Sequence, residues 1–165
     1  MNLKNYTSTV PASVTIGRIQ GKLLEARVSQ ISMTYTPQGI VEAITFAVQV
    51  WPDKPPVHIK IPANVEAALD AFWLDYVGTN KLSPDGQRLA WQYGYKKKCR
   101  KDFLEQAERT AWKIVQDWVE VQLTMVALRQ AEFIQVFLPY VWDGRQTLFQ
   151  RLSSGGFAAL MPPKE

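Results

Sequence analysis

The sequence predicts an α+β fold: a small antiparallel sheet of three to four strands with two helices, followed by a long C-terminal helix used for dimerisation. Three observations predict it. Apolar residues alternate in three short runs between residues 31 and 61. The links between those runs contain Pro or Gly and are too short for parallel crossovers. The stretch from Asp102 to Leu138 keeps helical character without Pro or Gly, and Pro139 ends it.

Taken in order, Asn5 to Val10 alternates weakly, is rich in Thr and reads as an edge strand closed by Pro11. Residues 15–27 place Ile16, Ile19, Leu23 and Ala26 at helical spacing, with Thr15 or Ser13 as the cap. Gly17 and Gly21 stand four apart; they either admit a second backbone or are surface glycines. Ile31, Met33 and Tyr35 share one face of the next strand, and Pro37-Gln38-Gly39 turns the chain. Ile44, Phe46, Val48 and Val50 share a face of the following strand. Pro52 to Pro56 is a second turn. Val57, Ile59 and Ile61 then alternate with His58 and Lys60. Asn64 caps a helix to about Tyr76 with Val65, Ala68, Leu69 and Phe72 inward. Residues from Gly78 to Tyr95 read as a loop with a turn at Ser83-Pro84-Asp85-Gly86. A short helix, Gln146 to Leu152, precedes the breaker Gly155-Gly156 and a frayed end. The expected organisation is therefore a sheet domain (1–77), an irregular basic loop (78–101), and a long helix with its tail (102–165), all one cooperative unit.

Composition narrows the function classes. The chain has 165 residues, 47% of them hydrophobic, which suits a globular protein with a real core. A formal charge of +4 and a pI of about 9.2 favour anionic partners without requiring one. Cys99 is the single cysteine, so no disulfide framework is expected and a reducing compartment is. No signal-peptide pattern or long uncharged apolar run is present, so a cytoplasmic protein with no membrane partner is expected.

The long helix carries the strongest physical argument. As one piece, Phe103 to Leu138 would extend about 54 Å, against a radius of gyration of about 15 Å for a compact chain of this size. Leu104, Ala107, Ala111, Ile114, Val115 and Trp118 form a stripe on its first half, and its second half is apolar almost all round. Either a second copy covers it, giving a homodimer or higher homo-oligomer, or the helix kinks and folds back. The D-x-x-E of Asp102 and Glu105 predicts a capping box and a start near Phe103.

Catalytic patterns are missing. His58 is the lone histidine, Cys99 has no paired ligand, and neither Gly-rich phosphate motif occurs, so no catalytic residues, metal or cofactor are expected. Asp117 and Glu120 share a helical face, which keeps hydrolysis open as a class, although carboxylates at that spacing usually face solvent or meet lysines such as Lys113.

Anion binding has more support. The basic run KKKCRK, with Lys96 and Lys97 ahead of Lys98, Arg100 and Lys101, immediately precedes the helix start. Positive charge there disfavours the helix, and a bound phosphate would compensate. Trp91, Tyr93 and Tyr95, then Trp112 and Trp118, supply aromatic faces for stacking, with Trp118 on the apolar stripe more suited to the core. The candidate ligand-binding residues are Lys98, Arg100, Lys101, Arg109, Trp112 and Lys113. A solvated basic loop is the competing explanation.

The order helix, three strands, helix resembles the double-stranded RNA-binding domain in topology alone; the residues that would contact RNA are not recognisable. A wider resemblance rests on N-Y-T-S-T (Asn5–Thr9) with Thr15-Ile16, on I-P-A-N-V-E (Ile61–Glu66), on R-T-A-W-K-I-V-Q-D-W-V-E-V-Q-L (Arg109–Leu123) and on V-F-L-P-Y (Val136–Tyr140). Together these resemble an uncharacterised family of short phage and prophage proteins, over most of the chain except Gly78 to Lys101. Members often end the first helix at a glycine, and Ala26-Arg27-Val28 departs from that. The resemblance implies a phage-encoded cytoplasmic accessory protein and supplies no catalytic residues.

Three functions follow as expectations. One is a non-enzymatic sponge that sequesters a nucleotide-derived immune signal of the host, of cyclic-nucleotide or ADP-ribose type, at an inter-chain pocket. Another is a nucleic-acid-binding accessory of phage replication, recombination or packaging. The third is a protein-binding inhibitor of a host enzyme that uses the apolar half of the long helix.

Overall fold

The computed structural model describes residues 3–79 and 98–156. Its elements are α1 (Ala12–Glu25), β1 (Ser29–Tyr35), β2 (Val41–Val48), β3 (Val57–Pro62), α2 (Val65–Thr79), α3 (Leu104–Ala127), α4 (Phe133–Phe137) and α5 (Leu148–Gly155). The fold is α+β with a three-stranded antiparallel meander ordered β1-β2-β3. The predicted turn at Ser83–Gly86, the aromatics Trp91, Tyr93 and Tyr95, Lys96 and Lys97, and the end beyond Gly156 lie outside the described residues. No helix among the described residues is long and apolar enough to cross a membrane.

The chain divides into two compact units, Met1–Ile19 with Ala63–Val119, and Gln20–Pro62 with Glu120–Glu165. The division passes through α1 and α3.

In the second unit, β2 is the central strand, and Ala43, Ile44, Phe46 and Ala47 are all buried. Both its faces are therefore covered, beyond the single face expected. Phe46 meets Phe137 and Phe133 edge-on, with centroids 5.7 and 6.3 Å away. Such rings prefer this geometry because the positive edge of one lies on the negative face of the other. Edge strand β1 carries an irregularity between Ser29 and Ser32, where Gln30 has φ +53°. A bulge of this kind twists an edge away from further pairing.

The first unit holds the N-terminal arm, the start of α1, α2 and most of α3. Asn64 Oδ1 accepts from the Ala67 N–H at 3.0 Å, the cap its side chain predicts. Val65, Ala68, Leu69 and Phe72 are buried along α2. Asn5 to Val10 is a turn-containing arm and no strand. Asn5 is left-handed (φ +63°), which breaks the alternation. Its carbonyls serve α3 instead: Gln106 Nε2 donates to Tyr6 and Ser8, and the Thr110 hydroxyl donates to Asn5. Pro11 opens α1, accepting from the Val14 and Thr15 N–H groups. Thr15 is thus a fully buried helix residue and not the cap.

The long helix is shorter than expected. A 3-10 turn (Arg100–Phe103) leads into α3, which has 24 residues and stops at Ala127. Arg129 adopts φ +56°, its N–H donates to Val126, and the Gln130 N–H donates to Met125. This pair of bonds closes a helix end by a left-handed residue, usually glycine. α4 then restarts and carries Phe133 and Phe137 onto Phe46, so part of the apolar second half folds back within its own unit. α1 ends by the same device: Arg27 has φ +61°, and Val28 N–H donates to Leu23 with both side chains buried. The start of the long helix also differs from the predicted box. Asp102 does not cap; it reaches back, accepting from the Cys99 N–H at 2.7 Å. Glu105 pairs with Arg109.

Candidate functional site

The six residues singled out from the sequence separate into two groups. Lys98, Arg100 and Lys101 stay together at the 3-10 turn. Arg100 is engaged by Glu66 and, at 2.6 Å, by Asp70, one turn apart on α2. Those two hydrogen bonds, Asp70 first, raise the Arg100 pKa above its ordinary value. Lys98 Nζ lies 5.4 Å from the centre of the Phe103 ring. Phe103 in turn stacks on Phe72 at 6.4 Å and meets Tyr76 at 5.3 Å and Trp73 at 6.4 Å. Lys98 and Lys101 form no close ion pair among the described residues, and both act on the nearby Asp102 carboxylate through its charge. The sequence reading missed Trp73, Tyr76 and Phe103; the i,i+3 spacing of Trp73 and Tyr76 on α2 was the available signal.

The other three are engaged within the fold. Trp112 is 1% exposed and belongs to the core, so its ring has no open face for a ligand. Trp118, expected in the core, is only half-buried. Arg109 is paired with Glu105, and its Nε is buried without an acceptor. Lys113 is committed to Asp117 at 2.8 Å and to Gln116 at 3.2 Å.

Asp117 is a structural acid. Burial raises its pKa, but hydrogen bonds from Lys113, Asn5 and Lys4 outweigh that and lower it to about 2. A carboxylate held ionised so firmly is poorly suited to act as a general acid near neutral pH. Asp102 is also lowered, chiefly by the Cys99 N–H. Glu108 moves the other way, raised by burial and then by Glu105. Among the described residues, no group of three or more His, Cys, Asp or Glu side chains gathers as a metal site.

The second unit contains a feature that the sequence did not disclose. An open groove of about 680 Å³ lies where the ends of α1 and α3 meet the start of α4. Ala26, Leu123, Val126, Ala127, Leu128 and Phe133 supply its apolar lining. Leu128, just beyond the end of α3, is 63% exposed. The polar members are matched: Lys22 pairs with Glu25 at 3.1 Å, and Glu120 interacts within the chain. A smaller cleft of about 490 Å³ lies beside Pro56, His58 and Trp142, where Lys60 Nζ sits 5.2 Å from the Trp142 ring.

No protein-family model matches the chain, and no curated protein or solved structure does either.

Proposed function

We propose that this chain is a non-enzymatic binding protein that contacts another protein through the apolar groove at the ends of α1 and α3. The observation that carries this reading is the exposure of Leu128 in a groove lined also by Leu123, Val126 and Phe133. Contiguous apolar surface of that kind costs free energy in water, at about 25 cal/mol per Å² left uncovered. Grooves between helix ends receive side chains of a partner segment. The reading corresponds to the protein-binding inhibitor among the sequence expectations. The homodimer loses part of its motive, because α4 already covers Phe46 from within the unit.

A photoreactive benzoylphenylalanine at position 128 tests it, with the same group at exposed Leu74 on α2 as control. In bacterial extract, position 128 is expected to yield discrete protein adducts and position 74 none. Absence of adducts at 128, or equal labelling at both, contradicts the reading.

A second reading is favoured by Lys98, which stands over the Phe103 ring in contact with Tyr76 and Trp73, together with the neighbouring Lys101. Cations beside aromatic faces suit a nucleotide-type anion, so sequestration of a cyclic nucleotide or ADP-ribose compound, or nucleic-acid binding, attaches to this turn. Tryptophan quenching by ADP-ribose that is lost in Lys98→Ala/Lys101→Ala supports sequestration. Binding of a single strand that collapses between low and moderate salt supports nucleic acid, through counterion release. No binding of either kind removes this second reading.

A further inference from the structure

Two tryptophans of the second unit each carry a lysine over the ring. Lys54 Nζ lies 5.1 Å from the Trp51 ring centre, and Lys60 Nζ lies 5.2 Å from that of Trp142. The sheet accounts for the second pair. Ile59 bridges Val141, and the Trp142 N–H donates to the His58 carbonyl at 2.8 Å, on the edge of β3 away from β2. This register sets Trp142 opposite His58. It puts His58, Lys60 and Trp142 on one face, because alternate residues of a strand share a face. The first pair stands in the turn before β3, where Gln49 Nε2 donates to the Trp51 and Lys54 carbonyls. Trp51 is 49% exposed there. The chain between the two lysines lines the cleft of about 490 Å³ through Pro56, Val57 and His58, and Trp142 lines it too.

Neither Lys54 nor Lys60 forms a close ion pair among the described residues. Residues 51–60 and 141–151 hold four cations, Lys54, Lys60, Arg145 and Arg151, against two acids, so the net charge of these segments is positive. Asp143 lines the cleft, but its carboxylate is engaged by its own loop. Oδ1 accepts from the Arg145 and Gln146 N–H groups at 2.9 Å each, and Oδ2 is 3.9 Å from Arg151 Nη1. Asp53 is exposed beside Lys54 in the turn. Indole faces beside available cations suit bases joined by phosphates, since every base has a face to stack and every phosphate a charge to meet. We propose that this end of the second unit binds single-stranded nucleic acid, with bases on Trp51 and Trp142 and phosphates at Lys54 and Lys60. On binding, each ammonium moves from its ring to a phosphate, which frees the indole face for a base. The proposal rests on neither the apolar groove nor the turn at Lys98.

The test is fluorescence anisotropy of a labelled oligothymidylate titrated with the full-length protein. Binding is expected at low salt and is expected to collapse at moderate salt, as counterions are released. A duplex of the same length and thymidine monophosphate are each expected to bind about tenfold more weakly or worse, the first for lack of free bases and the second for lack of a second contact. Lys54→Ala/Lys60→Ala and Trp51→Ala are each expected to weaken the strand about tenfold. Lys54→Arg/Lys60→Arg is expected to retain it, and Lys98→Ala/Lys101→Ala to leave it unchanged. Trp51 and Lys54 are exposed, so unchanged melting temperatures are expected for Trp51→Ala and Lys54→Ala, and a binding loss there is no folding defect. No binding at low salt overturns the proposal. So does a duplex or a mononucleotide bound as tightly as the strand. A loss confined to the Lys98→Ala/Lys101→Ala variant overturns it in favour of the 3-10 turn.

Discussion

Asn5 Nδ2 donates to the Asp117 carboxylate at 3.0 Å, joining a left-handed residue of the N-terminal arm to the middle of α3. Lys4 and Lys113 reach the same carboxylate at 3.1 and 2.8 Å. One acid thus fastens an arm that has no strand pairing of its own.

Asp117 sets an acid limit on stability. Its folded pKa of about 2 lies below the ordinary 3.8, so its contribution is complete above pH 4 and is lost as pH falls from 3.8 towards 2. With the side chain 22% exposed, the shift corresponds to about 2 kcal/mol. Urea unfolding of Asp117→Asn is expected to show a loss of that order at pH 7. The gap to wild type should narrow as pH drops below 4.

Trp112 is a core residue, and its substitution tests that directly. Trp112→Ala is expected to cost about 3–5 kcal/mol in chemical unfolding, as for other large buried rings. A loss under 1 kcal/mol would return this ring to the surface and to ligand binding.

Arg100 joins the 3-10 turn to α2, but its partners Glu66 and Asp70 are more than half exposed. Arg100→Ala is therefore expected to cost no more than about 1 kcal/mol. That difference should shrink in 1 M salt, which screens exposed pairs. A larger, salt-independent loss would mean that Arg100 holds the turn by packing.

The two left-handed arginines predict a gain. Arg129→Gly and Arg27→Gly are each expected to stabilise the fold by about 1 kcal/mol, less the lost helix-end charge effect, in thermal unfolding. A loss at either position would show that the arginine side chain makes up for its backbone strain.

Local chemistry was legible where it is written in one stretch of sequence. Asn64 and the four inward residues of α2 stand as their spacing predicts, and Pro37-Gln38-Gly39 turns with Gly39 at φ +82°. The end of α3 was not legible, because arginine, with no glycine or proline nearby, occupies the left-handed position. The buried arc of α3 was also misjudged. Thr110 and Gln116 are buried although polar, Thr110 bonding to a carbonyl of the arm and Gln116 to Lys113. With polar residues inside the arc, an apolar stripe chose Trp118 over Trp112. Of the expected site, Lys98, Arg100 and Lys101 remain adjacent because they adjoin in sequence. The groove depends on residues about a hundred positions apart, which no local pattern reveals.

Methyl-resolved NMR of the full-length protein, titrated with a synthetic amphipathic helical peptide, tests the groove as a contact surface most directly. The account predicts shifts at Leu123, Val126 and Leu128, with Leu69 and Leu74 of α2 unmoved. Shifts confined to α2, or none at saturating peptide, would contradict it.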